Sequence, residues 1–208
     1  MKDSSGPDVE VVYNGFPASL LQIRPAKHAR FTVVFHGVLG FFQDITTLCA
    51  LAARLHQHDI DVVVIGYGKK EHQLQACSAP NLRFLGRMAH ERTMQTAAQC
   101  HLGLCLRLDD DISKDAFPVK VWEYLGLGMP SIITPHCEAG AFLEQHGCGI
   151  QLYSGDMVAL EEVILRLRDK PDELVAMAAK CRLAVYEYTR ERTGAQLARF
   201  VIQTLDQP

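Results

Sequence analysis

Asp115-Ala116-Phe117-Pro118-Val119-Lys120-Val121-Trp122-Glu123-Tyr124-Leu125-Gly126-Leu127-Gly128-Met129-Pro130, continued by Ser131-Ile132-Ile133-Thr134, reads as a polar turn, a helix and a buried strand. Proline at the start and glycine at the stop frame a helix over residues 118–128. At the first helical position proline forfeits no hydrogen bond, and glycine tolerates the left-handed exit. The short apolar run after Pro130 has the length and composition of a strand buried on both faces. At such a helix start the free N–H groups point outward, and the macrodipole favours an anion such as a phosphate. Lys120 falls in that first turn, where the dipole alone disfavours a cation, and a phosphate would remove the conflict. Glu123 follows three residues later on the same face, where its carboxylate can accept two hydrogen bonds from a ribose diol. The plainer alternative is an exposed helix on which Lys120 and Glu123 form a weak surface ion pair.

The same strand–loop–helix alternation extends in both directions. Val11-Val12-Tyr13 before Asn14-Gly15 reads as a short strand entering a turn. Phe31-Thr32-Val33-Val34-Phe35 is a first apolar strand, closed by His36-Gly37-Val38-Leu39-Gly40, with a helix over residues 44–58. Asp61-Val62-Val63-Val64-Ile65 ends at Gly66-Tyr67-Gly68, and Leu82-Arg83-Phe84-Leu85 ends at Gly86. Helices are expected at residues 69–76 and 91–99, a strand at 101–106 and a polar loop at 107–116. Beyond Thr134 a helix at 139–146, a strand at 149–152 and helices at 156–168, 171–188 and 195–205 complete the chain. Strands apolar throughout, alternating with helices, predict an α/β Rossmann-like parallel six-stranded sheet with helices on both faces. Ligands bind such sheets at the carboxyl ends of the strands, which singles out the loops after Phe35, Ile65, Leu85, Leu106 and Thr134.

The 208 residues are 48% hydrophobic and carry a formal charge of −3, which argues against a nucleic-acid footprint. Seven cysteines with no C-x-x-C pair read as reduced thiols of a cytoplasmic protein. The polar opening, residues 1–7, does not read as a signal peptide, and no run of ~18 apolar residues predicts a membrane span. A peripheral membrane contact is compatible with this composition. Asp109-Asp110-Asp111 reads as a solvated loop, and His136-Cys137 lacks a second ligand cluster, so no metal site is expected.

The segment from Asp115 to Pro130 resembles the donor-binding motif of GT-B retaining glycosyltransferases of the family 4, group 1 type, in the variety where Phe-Pro-x-Lys precedes the second acidic residue. Val12-Tyr13-Asn14-Gly15-Phe16, the loop from His36 to Asp44, Ile65-Gly66-Tyr67-Gly68, Asn81-Leu82-Arg83-Phe84-Leu85-Gly86-Arg87, Glu138-Ala139-Gly140 and Gly147-Cys148-Gly149-Ile150 resemble further family segments in the same order. The resemblance implies one half of a GT-B fold. Residues 1–30 would be an interdomain segment, 31–188 the donor-binding domain and 189–208 a C-terminal helical tail. It implies that Glu123 binds ribose hydroxyls and that Asp115 stands at the first acidic, catalytic position. Gly37, Leu39, Gly40, Gly86, Arg87, Phe117, Pro118, Val119 and Lys120 would contact the nucleotide sugar, with His36 and Glu138 as further candidates near the donor.

The implied activity is transfer of a sugar from a UDP- or GDP-linked donor to a glycan or lipid-linked acceptor with retention, without a metal cofactor. It would need an N-terminal GT-B domain or partner subunit and would place the protein in the cytoplasm, peripheral to the inner membrane face. Val38 and Gln43 stand where many members carry a diphosphate-clamping Arg and Lys. Lys120, Arg87 and the helix N-terminus are then the remaining sources of positive charge. The competing reading is a non-catalytic nucleotide-sugar-binding module.

Overall fold

The structure is a computed structural model that describes residues 9–205; the polar opening and the last three residues lie outside them. Six strands form one parallel sheet: β1 (Thr32–Val38), β2 (Asp61–Tyr67), β3 (Leu82–Phe84), β4 (Leu102–Leu106), β5 (Ser131–Thr134) and β6 (Gly149–Gln151), in spatial order β3-β2-β1-β4-β5-β6. The order reverses between β1 and β4, and a crevice opens at the strand ends there. The helices are α1 (Ile45–His56), α2 (Glu71–Gln75), α3 (His90–Ala98), α4 (Asp111–Lys114), α5 (Val119–Gly126), α6 (Glu138–Gln145), α7 (Met157–Asp169), α8 (Pro171–Ala184) and α9 (Arg190–Leu205).

The uniform apolarity of the strands follows from helices on both faces. Val33, Phe35, Val62, Val64, Leu104 and Leu106 pack on one side with α1 and α7, through Leu48, Leu51, Leu55, Leu160 and Ile164. Val34, Val63, Ile65, Cys105 and Ile133 pack on the other with α3, α5 and α6, through Met94, Trp122, Tyr124, Leu125 and Leu143. Each fully buried side chain of this size contributes about 1.5–3 kcal/mol. Tyr124 anchors α5 to the sheet. Its hydroxyl reaches the carbonyls of Val34 (3.1 Å) and Leu104 (3.2 Å), and its ring lies where a Cβ on Gly103 would come within 2.6 Å.

Three expectations are corrected. Val11-Val12-Tyr13 is not a strand. Chain pairing begins at Phe16, which forms an isolated parallel bridge with Thr189, while its ring fills the space left by Gly126. The polar stretch 107–116 is not all loop, because the Asp110 carboxylate accepts from Ser113 N (2.7 Å) and starts the short α4. The last helix begins at Arg190 rather than near residue 195, because Arg190 N donates to Phe16 O and ties the helix start to the N-terminal segment.

Candidate nucleotide-sugar site

The site is assembled from the loops after β1, β3 and β4 and the start of α5. Its floor is the pair Gly37 and Gly66, neighbours in the β1–β2 register. A Cβ on Gly66 would stand 2.0 Å from Gly37 O, so only glycine lets the two strand ends approach so closely. Beyond them the 39–44 loop is fixed at both ends. Leu39 N donates to Tyr67 O (2.8 Å), and Asp44 caps α1 by accepting from Thr47 N (3.0 Å) and Thr47 Oγ1 (2.7 Å). Lys70 Nζ donates to the carbonyls of Phe41 (2.8 Å) and Gln43 (2.6 Å), which holds the intervening turn.

Lys120 and Glu123 are not a surface ion pair: they are 8% and 7% exposed, and each has other partners. Lys120 Nζ donates to Gln43 Oε1 (2.9 Å) and sits 3.9 Å from the Phe35 ring centroid. Burial pushes its ammonium down to about 8, with Arg107 acting in the same direction. Glu123 lies between two imidazoles, with His90 Nε2 2.7 Å from Oε1 and His36 Nε2 3.7 Å from Oε2. His36 is 3% exposed, and desolvation, then Lys120, then His90 hold its ring down to about 3, so it is neutral at physiological pH. Its Nε2 has no hydrogen-bond partner among the described residues. His36, Gly37, Tyr67, Met88, His90, Thr93 and Glu123 enclose a cleft of about 300 Å3 at the strand ends.

The other expected residues fall around this cleft or away from it. Pro118 is the N-cap of α5 in extended conformation (φ −65°, ψ 134°), not its first helical residue, and Val119 begins the helix half-exposed. Proline suits both positions, because neither requires its missing N–H. Phe117 does not offer its ring to the cleft. The ring stacks on Trp122 (4.2 Å, 9°) and meets Phe142 edge-on, so its aromaticity was spent on the core. Gly40 and Leu39 lie in the β1–α1 loop, Leu39 with its side chain buried. Gly86 adopts φ 66° in open space after β3, and the Arg87 guanidinium lies over Tyr67 (4.6 Å). Asp115 is exposed at the end of α4 and makes no ion pair or side-chain hydrogen bond among the described residues. Glu138 accepts a hydrogen bond from Tyr13, whose hydroxyl is thereby pushed up to about 12.

Three residues escaped the sequence reading: His90 on Glu123, Gln43 as the partner of Lys120, and Arg107, buried at the end of β4. All three lie in or just after loops that follow strands, and only Gln43 carries a further sequence signal, as the residue in place of a Lys. Among the described residues no group of three or more His, Cys, Asp or Glu could hold a metal ion, and no helix is long and apolar enough to cross a membrane.

The family model for glycosyl transferases group 1 matches residues 30–170, well over half of the chain and all of the cleft. The chain belongs to the group 1 glycosyltransferase family. No curated protein sequence matches this group 1 chain. Among solved structures it is similar to Anabaena HepE in complex with UDP-glucose, with TM-score 0.76 and 17% identity over 93% of this chain and 57% of that one. It is also similar to a glycosyltransferase from Rickettsia africae (TM-score 0.80, 10% identity, 96% and 58% covered) and to a chain of the GtfA/B complex (0.77, 17%, 94% and 40%). At these identities the likeness establishes the fold, one half of a GT-B architecture. The chain spans about half the length of these structures.

Proposed function

We propose that this chain binds the nucleotide-diphosphate sugar in a retaining glycosyltransferase that transfers the sugar to a glycan or lipid-linked acceptor. A second GT-B domain, on the same polypeptide or a partner, would contribute the acceptor side. The observation that carries this reading is the Glu123 carboxylate, buried yet facing the cleft at the switch point of the sheet, with Lys120 one turn earlier on the same helix. A carboxylate there suits a ribose diol, and a cation at the helix start suits the diphosphate leaving group, whose charge grows in the transition state. The HepE structure holds UDP-glucose, which favours a uridine donor here. Asp115, exposed beside the helix start, would meet the donor sugar, and no metal is assigned a role.

The exposed apolar side chains of α9, Leu197, Val201, Ile202 and Leu205, suit packing against that second domain. The same reading places the protein in the cytoplasm, at the inner membrane face when the acceptor is lipid-linked. A non-catalytic nucleotide-sugar module is the second reading. It is favoured by one observation: neutral Val38 and Gln43 in the first loop, with Gln43 already bonded to Lys120.

Calorimetric titration with UDP, GDP and ADP tests donor binding. Saturable binding to one nucleotide, weakened by Lys120→Ala and Glu123→Ala, supports it; no binding at millimolar nucleotide refutes it. Sugar transfer by this chain together with a second GT-B domain separates enzyme from module.

A further inference from the structure

Arg107 is the first residue after β4 and is only 7% exposed. Its backbone is fixed: N donates to Thr134 O (3.1 Å), and O accepts from Ser154 Oγ (2.8 Å). Its side chain makes no ion pair and no hydrogen bond among the described residues, and Nε is buried without a partner. A desolvated Nε–H with no acceptor is unfavourable, and an anion within reach of the guanidinium would offset that cost.

The surroundings indicate where that anion lies. The β1–α1 loop pairs with the chain after β4: Asp44 N donates to Leu106 O (3.1 Å), Leu108 N donates to Phe42 O (2.9 Å), and Gln43 forms an antiparallel bridge with Arg107. Gln43 thus touches Arg107 through its backbone and Lys120 through its side chain. The Arg107 guanidinium is 5.6 Å from the Phe42 ring, and its charge acts on both Lys120 and Cys137. Two buried cations therefore flank one glutamine beside the start of α5. The acids on the adjoining segments are engaged elsewhere: Asp44 and Asp110 cap helices, and Glu123 is held by His90.

We infer that Arg107, with Lys120 across Gln43, is a diphosphate-binding residue of the donor site, supplying from the end of β4 a positive charge that the first loop lacks. This rests on the donor-binding reading above. A guanidinium in this position can donate two parallel N–H bonds to neighbouring phosphate oxygens while Lys120 acts as a point charge. Exposed Arg87, lying over Tyr67, is not required for this role.

The test compares wild type, Arg107→Gln and Arg107→Lys by calorimetry with UDP, GDP and ADP, with the corresponding nucleosides, and with inorganic pyrophosphate. Thermal unfolding verifies that each variant is folded. Arg107→Gln is expected to weaken the preferred diphosphate and pyrophosphate ~10–100-fold while leaving the nucleoside unchanged, the loss of one charge-assisted contact. Arg107→Lys, which keeps the charge but not the fork, falls between. Equal diphosphate affinity of folded Arg107→Gln and wild type overturns this inference and leaves the donor-binding reading standing. Pyrophosphate binding that depends on Arg107, without preference for any nucleotide, overturns the donor-binding reading and with it the assignment of Arg107 to a donor site. No binding of any diphosphate to wild type overturns both.

Discussion

His90 Nε2 lies 2.7 Å from Glu123 Oε1, although the two residues are 33 positions apart and lie on different helices. The imidazole, 54% exposed, covers one oxygen of a carboxylate that is itself buried. A ribose diol that uses both oxygens of Glu123 must move His90 aside or share the oxygen with it. If Glu123 binds the ribose as proposed, His90 competes with the diol for that oxygen.

His90→Ala is expected to tighten nucleotide binding by up to about tenfold, since one hydrogen bond to a charged group no longer has to be broken. Glu123→Ala should weaken binding in either background. Calorimetry of the two single variants and the double variant checks this; a His90→Ala chain that binds more weakly than wild type would make the imidazole a ligand contact.

Diphosphate affinity is expected to fall as pH rises through about 8, because the Lys120 ammonium is held down to that value and only its charged form attracts phosphate. The effect should approach tenfold at pH 9, one unit above that value. For the ligand-free fold the sign is opposite. The unfolded chain binds more protons between about 8 and 10.5, so stability increases with pH across that window. Titrations between pH 7 and 9 should show the decline in wild type and none in Lys120→Met.

Acid should destabilise the fold through His36. Its folded value, about 3, is below the ordinary 6.5, so the unfolded state binds more protons between these limits. The stability that neutral His36 permits is fully present above pH 6.5 and is lost toward pH 3, by at most about 1.4 kcal/mol per pH unit. The groups facing it are Lys120, His90, Glu123 and Tyr124. Urea unfolding at pH 4.5 and 7, on wild type and His36→Asn, should show a shallower pH dependence in the variant.

Gly103→Ala should cost about 1–3 kcal/mol, because its Cβ would meet the Tyr124 ring at 2.6 Å inside a close-packed layer. Tyr124→Phe should cost about 1 kcal/mol by leaving the carbonyls of Val34 and Leu104 without its hydroxyl. Thermal unfolding of the two variants and their combination checks both, and the double variant should not be additive, since the residues touch.

Much of the fold was legible. Valine- and isoleucine-rich runs bounded by glycine, such as those ending at Gly37 and Gly66, mark parallel strands wherever both faces are covered. The start of α5 was legible within one residue, because Pro118 is excluded from a helix interior. The segment at Val11 was misread because β-branched propensity says nothing about whether a sheet edge is available. The Phe117 ring turns onto Trp122, a direction that periodicity does not give.

The sequence by itself determined the strand–helix alternation, the phosphate-suited start of α5 and the candidacy of Lys120 and Glu123, because these depend on continuous apolar runs, the 3.6-residue helical period and proline and glycine stereochemistry. Only the tertiary structure decided that Glu123 sits between His36 and His90 and that Gln43 joins Lys120 to Arg107. These are contacts between residues 33 to 87 positions apart, made where strand ends converge. They follow from the order of strands in the sheet and from burial, neither of which is a local property of the chain.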